Sequence, residues 1–320
     1  MNRERTDGEL RESVLLTVVT DPRVRLRPKL VPPDTIVAVM PGLLSFHAHP
    51  DDECSSTGGT LHTYVNRGEQ VVVITATDGA EGEIHNYEDP ESLKPRLAEM
   101  RREEMAAAMS ILGVEHQEFL GYRDSGMMGE PANGHPDAFW NADFMEATEK
   151  LVRLIRKYTP EVLTIYDPFG GYGHPDHINV HRIGMAAYAG APDLSRFPLL
   201  EGETDWQPLK LYWTTWPRSR ARAFADLRLE AGMIDEADHA RMQNAGTPDE
   251  HISAFIDVAD VLDVKEKALR AHRTQIPEDW FLLNIPEEMK PLLLGRESFV
   301  KIFDRVGAPA RETDLFTGLR

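Results

Sequence analysis

Leu43-Leu44-Ser45-Phe46-His47-Ala48-His49-Pro50-Asp51-Asp52-Glu53 is the stretch that decides the fold class. Residues 43–47 form a short apolar run, readable as a buried strand, which leads directly into a histidine and adjacent carboxylates. In open α/β sheets, ligands bind in the crevice beyond the carboxyl ends of the strands. His and Asp together suit a borderline divalent ion such as zinc, and a second Asp beside them can serve as a base. A matching cluster, Gly173-His174-Pro175-Asp176-His177, follows another apolar run at 162–166. Either His-Pro-Asp alone reads as a turn in which Pro fixes φ and Asp caps the next helix. Two of them, each after a strand, read as two halves of one metal site.

Outward from these clusters, strand-like and helix-like segments alternate. Residues 70–77 (Gln-Val-Val-Val-Ile-Thr-Ala-Thr) are apolar on both faces, as a buried parallel strand requires. Helical periodicity runs through 61–65 and from 96 to 112, where Gly113 stops it, and 115–120 gives a third strand. A helix over 142–157 leads to the strand at 162–166, and the chain after His177 reads as helical to 189. Residues 79–95 read as a polar loop, and the loop 121–141 is long enough to suggest work at a site. This order predicts an α/β fold, a Rossmann-like, mainly parallel sheet with helices on both faces. Beyond Gly190 the pattern loosens into a smaller C-terminal α+β portion, with strands expected at 209–216, 252–258 and 299–303 and helices at 217–232, 235–244 and 259–272. The expected division is an N-terminal extension at 1–40, a catalytic core at 41–190, and a portion at 191–320 that completes the same domain or caps it.

Composition limits the partners. The 320 residues carry a formal charge of −18 with no offsetting basic run, which argues against nucleic acid and anionic membrane. The single cysteine, Cys54, rules out an internal disulfide and a cysteine-rich zinc finger and fits a reducing compartment. No apolar stretch nears the ~18 residues of a membrane span, and the charged start lacks the apolar core of a signal peptide. The chain reads as cytoplasmic, with a small molecule as its partner and no signal for its oligomeric state. Gly170, Gly171 and Gly173 follow the fourth strand, and no Gly-x-Gly-x-x-Gly follows the first, so a dinucleotide site is not indicated. His181, four residues after His177, reads as packed behind the site. His62, His85, His116, His135, His239, His251 and His272 have no ligand spacing and read as surface or core residues, and Cys54 reads as a small buried side chain.

The pair Ala48-His49-Pro50-Asp51-Asp52-Glu53 and Gly170-Gly171-Tyr172-Gly173-His174-Pro175-Asp176-His177 resembles the PIG-L/LmbE family of zinc-dependent N-deacetylases. Asp78–Glu83, Arg101–Met105, Arg123–Met127 and Lys267–Gln275 resemble its mycothiol branch, which holds GlcNAc-inositol deacetylases and mycothiol S-conjugate amidases. The likeness covers roughly residues 41 to 305. It implies His49, Asp52 and His177 as ligands of Zn2+, or of Fe2+, with an open position for water. It further implies Asp51 as general base, and His174 as the group that steadies the tetrahedral intermediate and protonates the departing amine, oriented by Asp176. Tyr172 is implied at the oxyanion, and Arg101 and Asp124 at the sugar or inositol hydroxyls. Phe169 replaces an expected Asn, and the loop 127–141 matches neither mycothiol enzyme closely.

The expectation is metal-dependent hydrolysis of an N-acyl group, taken as acetyl, from a glucosamine-containing small molecule such as GlcNAc-inositol. The rivals are an S-conjugate amidase and, from another class, a non-catalytic sugar-binding protein. Pure binding would need neither the base at Asp51 nor the acid at His174.

Overall fold

The computed structural model describes residues 42–320, so the expected extension at 1–40 lies outside the described residues. The strands are β1 (Gly42–His47), β2 (Gln70–Thr77), β3 (His116–Tyr122), β4 (Val162–Tyr166), β5 (Lys210–Thr215), β6 (Ala254–Asp257) and β7 (Arg296–Asp304). The helices are α1 (Asp52–Asn66), α2 (Pro90–Leu93), α3 (Leu97–Leu112), α4 (Phe144–Tyr158), α5 (Pro175–Gly190), α6 (Arg218–Glu230), α7 (Glu236–Met242), α8 (Leu262–Ala271) and α9 (Lys290–Leu294).

All seven strands join one sheet in the order β3-β2-β1-β4-β5-β7-β6. The first five are mutually parallel, β7 runs antiparallel to β5, and β6 runs antiparallel to β7. Every residue of β1 is buried because its alternate side chains feed two separate cores. Leu43, Val71, Val73 and Val162 face the core completed by Leu61 and Tyr64 of α1, Met105 and Met109 of α3, and Leu269 of α8. Leu44, Phe46, Val72, Ile74, Leu163 and Ile165 face the core completed by Leu151 and Ile155 of α4 and Val180 and Ile183 of α5. Burying each such side chain contributes roughly 1.5–3 kcal/mol, which is why unbroken apolar runs mark central strands.

Boundaries follow local chemistry. Gly113 ends α3 at φ 76°, a conformation glycine adopts without a Cβ penalty. Asp143 caps α4 by accepting from the backbone N–H groups of Met145 and Glu146, so that helix begins at 144, not 142. The C-terminal portion adds β5, β6 and β7 to the same sheet, and α8 packs against α1 and α3. Its tail is fastened to β5 by Glu312, whose Oε1 lies 2.7 Å from Lys210 Nζ with both side chains fully buried.

The chain runs from β1 outward through β2 to β3, then crosses back to β4 on the other side of β1. That reversal opens a crevice beyond the carboxyl ends of β1 and β4. Both His-Pro-Asp segments follow those two ends.

Candidate active site

Two buried tyrosine and histidine side chains brace the floor of the crevice. His47, the last residue of β1, bonds Ser45 Oγ at 2.7 Å and the Tyr166 hydroxyl of β4 at 3.0 Å. Burial pushes its imidazole down to about 4, so it serves as a neutral link between the strands. The Tyr166 ring in turn stacks on His177 at 4.5 Å. Gly170 turns the chain at φ 64° so closely that a Cβ there would sit 2.4 Å from the His177 Cβ. His174 then starts α5, its Nδ1 accepting from the Asp176 backbone N–H at 3.1 Å, with Pro175 in the first turn.

His49 Nδ1, Asp52 Oδ2 and His177 Nε2 form a triangle whose three sides are each 3.3 Å. Donors ~2.0–2.1 Å from a tetrahedral ion stand roughly 3.3–3.4 Å apart, so the triangle has the size that one such ion needs. Two imidazoles and a carboxylate suit Zn2+ with an open fourth position, and equally a ferrous centre. The other nitrogen of His49, Nε2, faces Asp176 Oδ2 at 3.2 Å and Asp124 Oδ1 at 3.6 Å. A ligating imidazole commonly donates its second N–H to a carboxylate in this way. His49, Asp124, His174 and Asp176 thus form a second acidic group behind the first. Burial opposes a charge on His49, but Asp124, Asp176 and Asp52 outweigh it and raise the imidazole well above its ordinary value. Burial likewise opposes ionisation of Asp52, yet His177 and His49 hold its carboxyl well below the usual range.

Asp51 adjoins this triangle in a left-handed backbone conformation, φ 111°. Its carboxylate lies 3.2 Å from the Arg101 guanidinium. Burial, aided by Asp52 and opposed by Arg101, pushes the Asp51 carboxyl up to about 6. Arg101 is itself 3% exposed and donates to the Gly79 and Pro50 carbonyls, while Asp124 accepts from the backbone N–H groups of Glu81 and Gly126. Both side chains therefore have partners inside the protein.

His174 packs edge-on against His49 with ring centroids 4.5 Å apart. Burial, and the neighbouring His49 and His177, push its imidazole down to about 3. The Asp176 carboxylate lies on His49 and on the Ser125 N–H and hydroxyl, so it meets His174 through its backbone and not through the side-chain pairing that the resemblance implied. Tyr172 stands at the rim, 57% exposed, with its hydroxyl 3.3 Å from His177 Nε2.

Two clefts flank the triangle. One of about 450 Å³ is lined by Asp51, Ser55, Trp216, Leu269 and Trp280. The other, about 320 Å³, is lined by Asp52, Tyr166, Tyr172, His177 and Trp216. Sequence reading missed Trp216 and Trp280, which come from the loosely patterned C-terminal portion, and the bracing pair His47 and Tyr166. His181 is packed as expected, its ring against Trp213 and its Nδ1 bonded to the Tyr166 carbonyl. His272, read as surface or core, lies fully buried against Glu53.

The family model described as PIG-L, GlcNAc-PI de-N-acetylase, matches residues 44–188, which span both His-Pro-Asp segments. A 1D-myo-inositol 2-acetamido-2-deoxy-alpha-D-glucopyranoside deacetylase of Salinispora arenicola is 41% identical over 87% of this chain and 91% of its own. The chain belongs to the PIG-L family. A deacetylase of the same description from Geodermatophilus obscurus is 40% identical over 87% of this chain and 97% of its own. Among solved structures, N,N'-diacetylchitobiose deacetylase from Pyrococcus horikoshii shares the fold, with a TM-score of 0.56 at 21% identity over 82% of this chain and 83% of that one. PIG-L deacetylases are metal-dependent, and this PIG-L chain carries buried His and Asp groups able to hold an ion. Among the described residues, no helix is long and apolar enough to cross a membrane.

Proposed function

We propose that this chain hydrolyses the N-acetyl amide of a glucosamine-containing small molecule, GlcNAc-inositol first among them, with one zinc ion held by His49, Asp52 and His177. The observation that carries this reading is the 3.3 Å triangle of three donors from the segments that follow two neighbouring strands. The same description of two relatives near 40% identity supports the substrate. When bound, the ion supplies Lewis-acid chemistry, lowering the pKa of a water and polarising the amide carbonyl.

The residues divide the remaining work. Asp51, pushed up to about 6, is ionised at neutral pH yet basic enough to take a proton from the attacking water. The same carboxyl, once protonated, returns that proton to the departing amine, in place of the His174 donation that the resemblance implied, because burial with His49 and His177 keeps that imidazole neutral. His174 accepts at Nδ1 from the Asp176 N–H, so its hydrogen sits on Nε2. It acts as a neutral donor to the oxyanion, and the exposed Tyr172 hydroxyl is a second donor from the rim. Asp176 and Asp124 orient His49, and Arg101 orients Asp51.

A second reading, the S-conjugate amidase, is favoured by one observation. The larger cleft beside Asp51 is walled by Trp216, Leu262, Leu269, Trp280 and Leu283, and would admit a bulky apolar group. Comparing kcat/KM of the zinc-loaded protein for GlcNAc-inositol and for a bimane conjugate of mycothiol separates the two. Deacetylation is expected to exceed conjugate cleavage. Turnover of the conjugate alone would replace the first reading with the second.

A further inference from the structure

Behind Asp51 lies a buried group that the metal triangle does not use. Glu53 and His272 both have fully buried side chains, and His272 Nε2 lies 2.8 Å from Glu53 Oε1. The Cys54 thiol donates to the same oxygen at 3.0 Å. The other oxygen, Glu53 Oε2, accepts the backbone N–H of Asp51 at 3.0 Å.

That N–H belongs to a residue with a strained backbone. Asp51 has φ 111° and ψ −28°, left-handed territory that a non-glycine residue occupies only when its surroundings hold it there. It is the N-cap of α1, its carbonyl accepting from the Cys54 and Ser55 N–H groups and its side chain capping nothing, a position that ordinarily has extended backbone rather than φ 111°. Glu53 is placed to hold it, and His272 is placed to hold Glu53. Among the described residues the buried His272 Nδ1 has no hydrogen-bond partner, and the ring's polar contacts are made by Nε2, on the side of Glu53 and Cys54.

His272 arrives from the end of α8, 219 residues further along the chain. Its segment is pinned to α3 by Thr274, whose N–H and hydroxyl both donate to Glu104, at 2.8 and 2.7 Å. One turn earlier on α3, Arg101 grips the Asp51 carboxylate and the Pro50 carbonyl. Asp51 is thus held at its backbone through Glu53 and at its side chain through Arg101, and both holds trace to the packing of α8 on α3.

We propose that Glu53 and His272 are a positioning pair, which fixes the Asp51 backbone so that its carboxylate is aimed at the reacting water. The proposal rests on the reading of Asp51 as the base. Outer groups that orient reacting side chains change activity by roughly 10–100-fold when removed.

The test measures kcat, KM, zinc content and Asp51 amide exchange for Glu53→Ala, His272→Ala and His272→Gln, each in the wild-type and in the Asp51→Asn background. In the wild type, the alanine variants are expected to lower kcat by about 10–100-fold with KM and zinc content unchanged and faster exchange at the Asp51 amide. His272→Gln, whose amide still donates to Glu53, recovers most of the loss. In the Asp51→Asn background the same changes cost nothing further, because their route to the chemistry has gone. If the alanine variants do not fold, His272→Gln carries the comparison alone, its smaller deficit vanishing with Asp51→Asn. An equal loss in both backgrounds, or loss of zinc, overturns the positioning role while leaving the base reading intact. Wild-type turnover in Asp51→Asn itself overturns both.

Discussion

In the proposed mechanism Asp51 is the general base, and burial and a neighbouring carboxylate lift it to about 6 while the Arg101 guanidinium keeps it from rising further. As a base its working form is the carboxylate, so activity is expected above that value and should be lost as pH falls through it. The acid limb of kcat/KM is therefore expected near pH 6 and should disappear in Asp51→Asn. General-base catalysis contributes ~10²–10⁴-fold, and a loss of that size in kcat with zinc still bound is the expected result for Asp51→Asn. Turnover near the wild-type level would move the role to another group. For Arg101, buried and bonded to Gly79, Pro50 and Asp51, steady-state kinetics of Arg101→Ala should show a fall in kcat with little change in KM. A rise in KM alone would instead mark a direct contact with sugar hydroxyls.

At the scale of elements, the strand–loop–helix units after β1 and β4 were legible because unbroken apolar runs name central strands and His-Pro-Asp names the turns beyond them. The pairing of those two strands as neighbours was not, since it depends on the chain crossing back over β1. His272 was unreadable for a similar reason. Nothing in its neighbourhood in sequence announces Glu53, and only the packing of α8 on α1 and α3 brings them together. Asp176 was legible as a residue of the site, but its partner was not: α5 turns the carboxylate toward His49 and Ser125. Gly170 tests how tightly the second loop is built. An alanine there meets a left-handed φ and the His177 backbone and Cβ together, so Gly170→Ala is expected to destabilise by ~1–3 kcal/mol and to weaken zinc binding. Unchanged denaturant midpoint and zinc affinity would show that the loop has slack to absorb a methyl group.

For the whole molecule, the C-terminal portion supplies both sheet and site: β5, β6 and β7 extend one edge, while Trp216 and Trp280 wall the cleft beside Asp51. Its loosened periodicity hid this, because β6 and β7 run antiparallel with partly exposed residues and so carry weaker apolar runs than β1 or β4. The buried Lys210–Glu312 pair locks the tail to the sheet, and Glu312→Ala, which leaves Lys210 buried and unpaired, should lower stability by ~3–5 kcal/mol in equilibrium unfolding. A change under about 1 kcal/mol would mean that the tail detaches freely. The proposed function stands on one divalent ion, held by His49, Asp52 and His177, enabling N-deacetylation. Its most direct test is acetate release from GlcNAc-inositol by chelator-treated protein titrated with zinc. Activity should rise linearly to one zinc per chain and then level off, with acetate and free amine formed in equal amounts. Full activity without zinc or another divalent ion, or one tightly bound zinc with no acetate released, would contradict it.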